Sequence, residues 1–172
     1  MRARRISIPT FDEMYHLVPD DIRNYLDRCK DTPQSPDWHP EGDVYKHIKI
    51  VYDRAAETGD INQVMAALFH DLGKADVTHP SRNHKDSWSA YGHEAVSSRL
   101  VQKHKKWIGS MGARWFWVYQ VVKEHMRVKR IGEMRKHKQD EIRNNPQFPR
   151  IDQFSQFDNM KTLTKDEMNS NA

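Results

Sequence analysis

Leu68-Phe69-His70-Asp71-Leu72-Gly73-Lys74 closes an apolar run, Val64 to Phe69, with an imidazole and a carboxylate side by side. The run favours a helix, and Gly73 offers it a natural stop. A histidine and an aspartate at the end of a core helix are costly to bury unless something compensates both. A divalent metal does so at once, since neutral imidazole and carboxylate are both ordinary ligands. Neighbouring residues point about 100° apart on a helix, so one ion takes both only near a helix end or beside a second ion. A lone His-Asp pair is more often a buried histidine next to a capping aspartate, so the rest of the chain has to decide.

Downstream, residues 74 to 88 are polar and irregular, with Pro80, Arg82, His84 and Lys85, and a loop of that length is more often functional than idle. A helix is expected over about Ser89 to Trp107, with His93 near its start. Gly109 and Gly112 break the chain before a long helix from about Ala113 to Val128, apolar on most sides, with His125 near its end. Gly132 to Asn145 is strongly charged and reads as a solvated helix or a mobile insertion. A last helix, roughly Arg150 to Thr162, carries Asp158, and the tail from Lys165 reads as frayed. Upstream, Asp43 caps a helix whose apolar face is Val44, Tyr45, Ile48, Val51, Tyr52 and Ala55, with His47 beside that face and Gly59 at its end. Thr10 caps a short helix to Leu17, and Pro19 opens another to about Lys30. Residues 31 to 43, with three prolines, form a loop. No strand alternation or internal repeat is visible, so the fold class expected is all-α.

The 172 residues are enough for a real core. Hydrophobic residues make up 37% and no stretch approaches the ~20 apolar residues of a membrane span, so no membrane partner is expected. The basic N-terminus Met1-Arg2-Ala3-Arg4-Arg5 is followed by no apolar signal core. A single cysteine, Cys29, excludes an internal disulfide and suits the cytoplasm. A net charge of +4 points weakly to anionic partners such as nucleotides or RNA.

Among ten histidines, four stand one per core helix beside apolar residues. His47, His70-Asp71, His93, His125 and Asp158 together offer four imidazoles and two carboxylates, the way a bundle builds a site from facing side chains. Six such ligands exceed the needs of one ion and suit two ions sharing a carboxylate. Asp152 and Asp166 compete with Asp158 for the last place. Glu41 and Asp43 are available to brace ligand imidazoles, though Asp43 is equally an N-cap.

The order His, His-Asp, His, His, Asp resembles the HD-domain metal-dependent phosphohydrolase superfamily, an all-helical fold. His47, His70, Asp71 and Asp158 carry over as ligands of a first metal. His93 in Gly92-His93-Glu94 and His125 in Glu124-His125-Met126 carry over as the extra ligands of the dinuclear branch, with Asp71 bridging. Trp38-His39-Pro40-Glu41-Gly42-Asp43-Val44-Tyr45-Lys46-His47 is similar to the stretch that opens the HD domain of bacterial tRNA CCA-adding nucleotidyltransferases. The resemblance implies an HD domain over 36–162, preceded by a basic arm and packing helices over 1–35 and followed by a flexible tail over 163–172. The expectation is the hydrolytic half alone, without CCA addition, since these residues leave no room for a nucleotidyltransferase domain.

What the resemblance implies is a phosphodiesterase or phosphatase acting on a nucleotide or an RNA-end phosphate. Two divalent ions (Mn, Co, Ni or Fe, with Mg a further option) about 3.5–4 Å apart would supply a hydroxide and clamp the phosphate. Asp71 and Lys74 are the catalytic candidates, Lys74 by offsetting charge on the phosphate. Lys74, Arg82, His84 and Arg127 are the substrate-binding candidates. Two rivals share the pattern: an HD-type mixed-valence di-iron oxygenase, and a non-catalytic module that binds a nucleotide or RNA.

Overall fold

The computed structural model describes residues 7–170, so Arg2, Arg4 and Arg5 of the basic arm lie outside the described residues. The all-α expectation holds. Helices α1 (Phe11–Leu17) and α2 (Asp20–Cys29) pack on each other and on α3 (Val44–Glu57). Thr10 and Glu13 close a capping box at the start of α1, and Asp43 caps α3 by accepting from the Lys46 amide. The stripe Val44, Ile48, Val51, Tyr52 and Ala55 is fully buried. It faces α4 (Ile61–Phe69), in which every residue from Gln63 onward is buried. Around α4 stand α3, α6 (His93–Lys103) and α8 (Trp115–Lys129), with α10 (Phe148–Phe157) against α8 and α3.

Helix α4 ends at Phe69, earlier than the apolar pattern predicts, with His70 as its cap residue. The chain turns through Asp71 to Gly73 and starts a one-turn helix, α5 (Lys74–Val77), inside the segment expected as loop. Gly73 is not a left-handed cap: its φ is −60°. Its role is close approach. A Cβ there would lie 2.3 Å from the His93 carbonyl oxygen and 2.8 Å from Val96 Cβ. The Gly73 amide also donates to Ser97 Oγ at 2.9 Å, which ties this turn to α6.

After α5 the chain forms a two-residue antiparallel pair, β1 (His79–Pro80) with β2 (Trp88–Ser89), turning through Asp86 at φ +58°. The helix expected from Ser89 therefore begins only at His93, after Gly92 at φ +84°. It is interrupted at His104, φ −102° and ψ 20°, and α7 (Lys105–Ser110) follows. The charged segment contains helix α9 (Lys136–Arg143), which buries only Ile142.

The stretch expected as a frayed tail is instead helical from Lys165 to Asn169 (α11), with its own capping box at Thr164. Glu167 of α11 accepts two hydrogen bonds from the Arg54 guanidinium, at 2.6 and 2.9 Å. The same guanidinium donates to the carbonyls of Phe157 at 2.9 Å and Asn159 at 3.0 Å, holding both neighbours of Asp158. No helix among the described residues is long and apolar enough to cross a membrane.

Candidate metal centre

Five elements deliver one buried cluster. His47 comes from α3, His70 and Asp71 from the end of α4, His93 from the first residue of α6, His125 from α8 and Asp158 from the cap of α10. None of the six is more than 4% exposed. Phe154 lies under them, edge-on to His70 with ring centres 5.2 Å apart, and keeps the floor of the cluster apolar.

The rings are oriented by what their Nδ1 atoms bond. His70, His93 and His125 each point Nδ1 at a carbonyl three residues back, of Ala67, Ala90 and Val122, at 2.8, 2.9 and 2.6 Å. A carbonyl only accepts, so each Nδ1 carries a hydrogen, and in the neutral ring each Nε2 presents a lone pair. His47 Nδ1 donates to Glu41 Oε1 at 2.7 Å, with the same result. The four Nε2 atoms then converge in pairs. His47 and His70 Nε2 are 3.2 Å apart, and His93 and His125 Nε2 are 3.4 Å apart. Nitrogens at that distance need a proton or a metal ion between them.

Asp71 divides its carboxylate between the two pairs. Oδ2 is 3.3 Å from both His47 and His70 Nε2, whereas Oδ1 is 3.0 Å from His93 and 3.8 Å from His125 Nε2. Asp158 Oδ1 completes the first group at 2.8 Å from His47 Nε2 and 3.5 Å from His70 Nε2. The result is two donor sets, His47-His70-Asp71-Asp158 and Asp71-His93-His125, the atoms of each within 4.8 Å of one another. Donors about 2.0–2.2 Å from a common ion are spaced in this way. The chemistry of the donors and their spacing fit a divalent metal site.

Charge follows the geometry. Burial alone would raise the Asp71 and Asp158 carboxyls, but His70 and Lys74 around Asp71, and Lys129 and His47 around Asp158, hold both well below the usual range. Burial opposes protonation of His70, yet the adjacent Asp71 and Asp158 outweigh it and push the ring up to about 9. For His125 burial prevails, and its pKa falls. Glu41, despite burial, is drawn down to about 2 by hydrogen bonds from His39, at 2.9 Å, and His47. Its second oxygen, Oε2, has no partner.

A family profile described as HD domain matches residues 44–159, from the first residue of α3 to just past Asp158. The chain belongs to the HD-domain family. Among curated proteins this HD domain is similar to the Multifunctional CCA protein of Methylobacillus flagellatus, 36% identical over 112 residues, which is 64% of this chain and 26% of that protein. It is also similar to the Multifunctional CCA protein of Aromatoleum aromaticum, 44% identical over 75 residues, 42% of this chain and 17% of that protein. The chain thus covers about a quarter or less of the length of these relatives. No solved structure matches it.

The HD domain brings Lys74 to the cluster but not the other three substrate-binding candidates. Lys74 Nζ is 2.9 Å from Asp71 Oδ2 and donates to Gln34 Oε1 at 2.9 Å, so it is no free surface lysine. Arg127, two residues beyond His125, points nearly to the opposite side of α8 and pairs with Glu124 at 2.9 Å. Arg82 and His84 sit exposed between β1 and β2, and only the far strand of that hairpin, Trp88 and Ser89, reaches the cavity beside the cluster. Asp152 is exposed and Asp166 lines a different depression, which leaves Asp158 in place. Asp43 serves α3 as its cap, while Glu41 braces His47.

Two cations were missed. Lys129 Nζ lies 3.3 Å from Asp158 Oδ2, and Arg130 lines the cavity. Lys129 stands four residues after His125, one helical turn along the same face, and that spacing was the available signal.

Proposed function

We propose that this HD domain is a metal-dependent phosphohydrolase acting on a nucleotide or RNA-end phosphate. The observation that carries the reading is the pair of buried donor sets sharing Asp71, with four Nε2 lone pairs turned inward. His47, His70, Asp71 and Asp158 would hold one divalent ion, and Asp71, His93 and His125 a second. Bound there, such a pair supplies Lewis acidity to a phosphate and a water of lowered pKa.

The chain's own groups do the rest. Glu41 fixes the ring of His47, and the three carbonyl bonds fix His70, His93 and His125, so the donors are set before anything binds. Lys74, between Asp71 and the cavity, carries a positive charge to where phosphate oxygens would lie. Arg130 lines the same cavity and takes the role expected of Arg127. Lys129 holds Asp158 ionised. Phe154 and the buried helices keep water from the back of the cluster, where charges act most strongly. A nucleotide or RNA end as substrate is supported by the likeness to the CCA proteins and by the net charge of +4. A module that only binds has no use for six complete ligands.

The test is metal analysis of the purified protein, with bis-p-nitrophenyl phosphate hydrolysis measured before and after chelation and re-addition of Mn, Co, Ni, Fe or Mg. About two ions per chain are expected. Hydrolysis should vanish on chelation, return with metal and be absent in His70→Ala and Asp71→Ala. Because ligands from α3 to α10 meet at one point, chelation should also lower the melting temperature, by several degrees for a metal present at about 100 times its Kd. A protein that retains iron but cleaves no phosphoester would overturn the reading in favour of the oxygenase, and one that takes up no metal would remove the centre altogether.

A further inference from the structure

Next to the second donor set lies a cavity of about 320 Å³. His93, Lys74, Arg130, Trp88 and Tyr91 are among the residues that line it. Tyr91 is 90% exposed, so folding gains little from its ring, and Trp88 keeps 39% of its surface exposed. Trp38, 70% exposed, sits next to His39, another residue of the cavity wall. Large exposed rings gathered around a concave, cation-lined space are what a ligand with a flat apolar part requires.

The backbone that carries Trp88 is also held in position. Ser35 Oγ accepts from the Trp88 amide at 2.9 Å and donates to the Trp88 carbonyl at 3.1 Å, and it lies 2.5 Å from Ser87 Oγ. The strand pair β1–β2 supports Trp88 from the other side, and the left-handed Gly92 turns the chain between Tyr91 and His93. In the same wall, the buried Oγ1 of Thr78 has no hydrogen-bond partner.

We infer that the cavity is a nucleobase subsite, in which Trp88 and Tyr91 stack on the base of one nucleotide while its phosphate lies toward Lys74, Arg130 and the metal cluster. Its volume is at the lower end of small-ligand pockets, enough for one base with its sugar and phosphate. The phosphate's position rests on the hydrolase reading given above, whereas the stacking does not. Base stacking on an aromatic side chain is worth roughly five- to a hundredfold in affinity.

The experiment is calorimetric titration of the metal-loaded protein with AMP, adenosine and ribose 5-phosphate, which separate base from phosphate, with phosphate release assayed in the same samples so that binding is read apart from turnover. AMP should bind at least tenfold more tightly than ribose 5-phosphate. Trp88→Ala and Tyr91→Ala should each reduce that ratio several-fold, while Trp88→Phe retains most of it. Phe116→Ala, an exposed ring on α8 remote from the cavity, controls for general loss of an aromatic. Equal affinity for AMP and ribose 5-phosphate, or loss of both in the Trp88 and Tyr91 variants, would overturn the inference. So would failure of AMP to bind, or a dimer that Trp88→Ala dissolves, which would give the rings to a second copy of the chain. AMP bound through its base by a protein that cleaves no phosphoester, bis-p-nitrophenyl phosphate included, would sustain the subsite and count against the hydrolase.

Discussion

Gly73→Ala adds one methyl at the tightest point between the His-Asp turn and α6. The new Cβ would meet the His93 carbonyl oxygen at 2.3 Å, where real Cβ contacts essentially never fall below 3.0 Å. Backbone must therefore retreat by at least about 0.7 Å, and Val96 Cβ at 2.8 Å closes the sideways escape. Overpacking of this kind costs typically ~1–3 kcal/mol. For a domain of this size that is a fall of roughly 2–12 °C in melting temperature. The movement has a direction, because the His93 carbonyl belongs to the residue whose Nε2 stands 3.0 Å from Asp71 Oδ1. Withdrawing α6 opens the Asp71-His93-His125 set and leaves His47, His70 and Asp158 in place.

The expected result is a protein that binds about one metal ion instead of about two and loses at least a hundredfold in hydrolysis, since displacements near 1 Å carry that penalty. Thermal denaturation followed by fluorescence and elemental metal analysis read both effects. Gly109→Ala is the comparison: nothing lies within 4 Å of its added Cβ, and a helical Gly→Ala change is neutral or stabilising. A Gly73→Ala protein with unchanged melting temperature and both ions bound would refute the close-approach argument. Loss of both ions together would refute the separation into two donor sets.

Two further outcomes follow from groups around the cluster. Glu41 has a folded pKa of about 2 against an ordinary 4.5, so its contribution is complete above pH 4.5 and disappears as pH falls toward 2. Glu41→Gln should cost on the order of 3 kcal/mol near neutrality and flatten the acid limb of a stability–pH curve; an unchanged acid limb would show that His47 is held by other means. Arg54→Ala removes the donors to the Phe157 and Asn159 carbonyls and the partner of Glu167, each unpaired group costing about 1–3 kcal/mol. It should also weaken metal binding at the His47-His70-Asp71-Asp158 set, measured by competition with a chromogenic chelator. Metal affinity unaffected by Arg54→Ala would mean that Asp158 is positioned by α10 alone.

The helices were legible because their apolar faces repeat at helical spacing and because Thr10 and Asp43 mark true starts. The six residues of the cluster were legible for a related reason: each lies on or at the end of a helix with apolar residues, where a buried polar side chain is costly without a partner. What sequence reasoning missed depends on contacts between distant segments. It read Gly73 as a helix stop, but only the carbonyl of His93, twenty residues on, shows that it makes room for α6. It took Arg127 for a phosphate ligand because it neighbours His125, though Lys129 and Arg130 are the basic residues that α8 turns toward the site. The tail reads as frayed because chain ends usually are; its anchor is an ion pair with Arg54, more than a hundred residues earlier.

The segment from Pro33 to Glu41 has a consequence for engineering. Gln34 anchors Lys74, Ser35 anchors the backbone of Trp88, and His39 with Glu41 sets the ring of His47. Surface loops are ordinarily the interchangeable parts of a domain, free to vary while the scaffold keeps the reactive groups in register. In this chain one short connector indexes both. Transplanting it from a relative would retune substrate choice and ligand geometry in a single step, so a library diversified at 33–41 should be screened for metal retention before it is screened for selectivity.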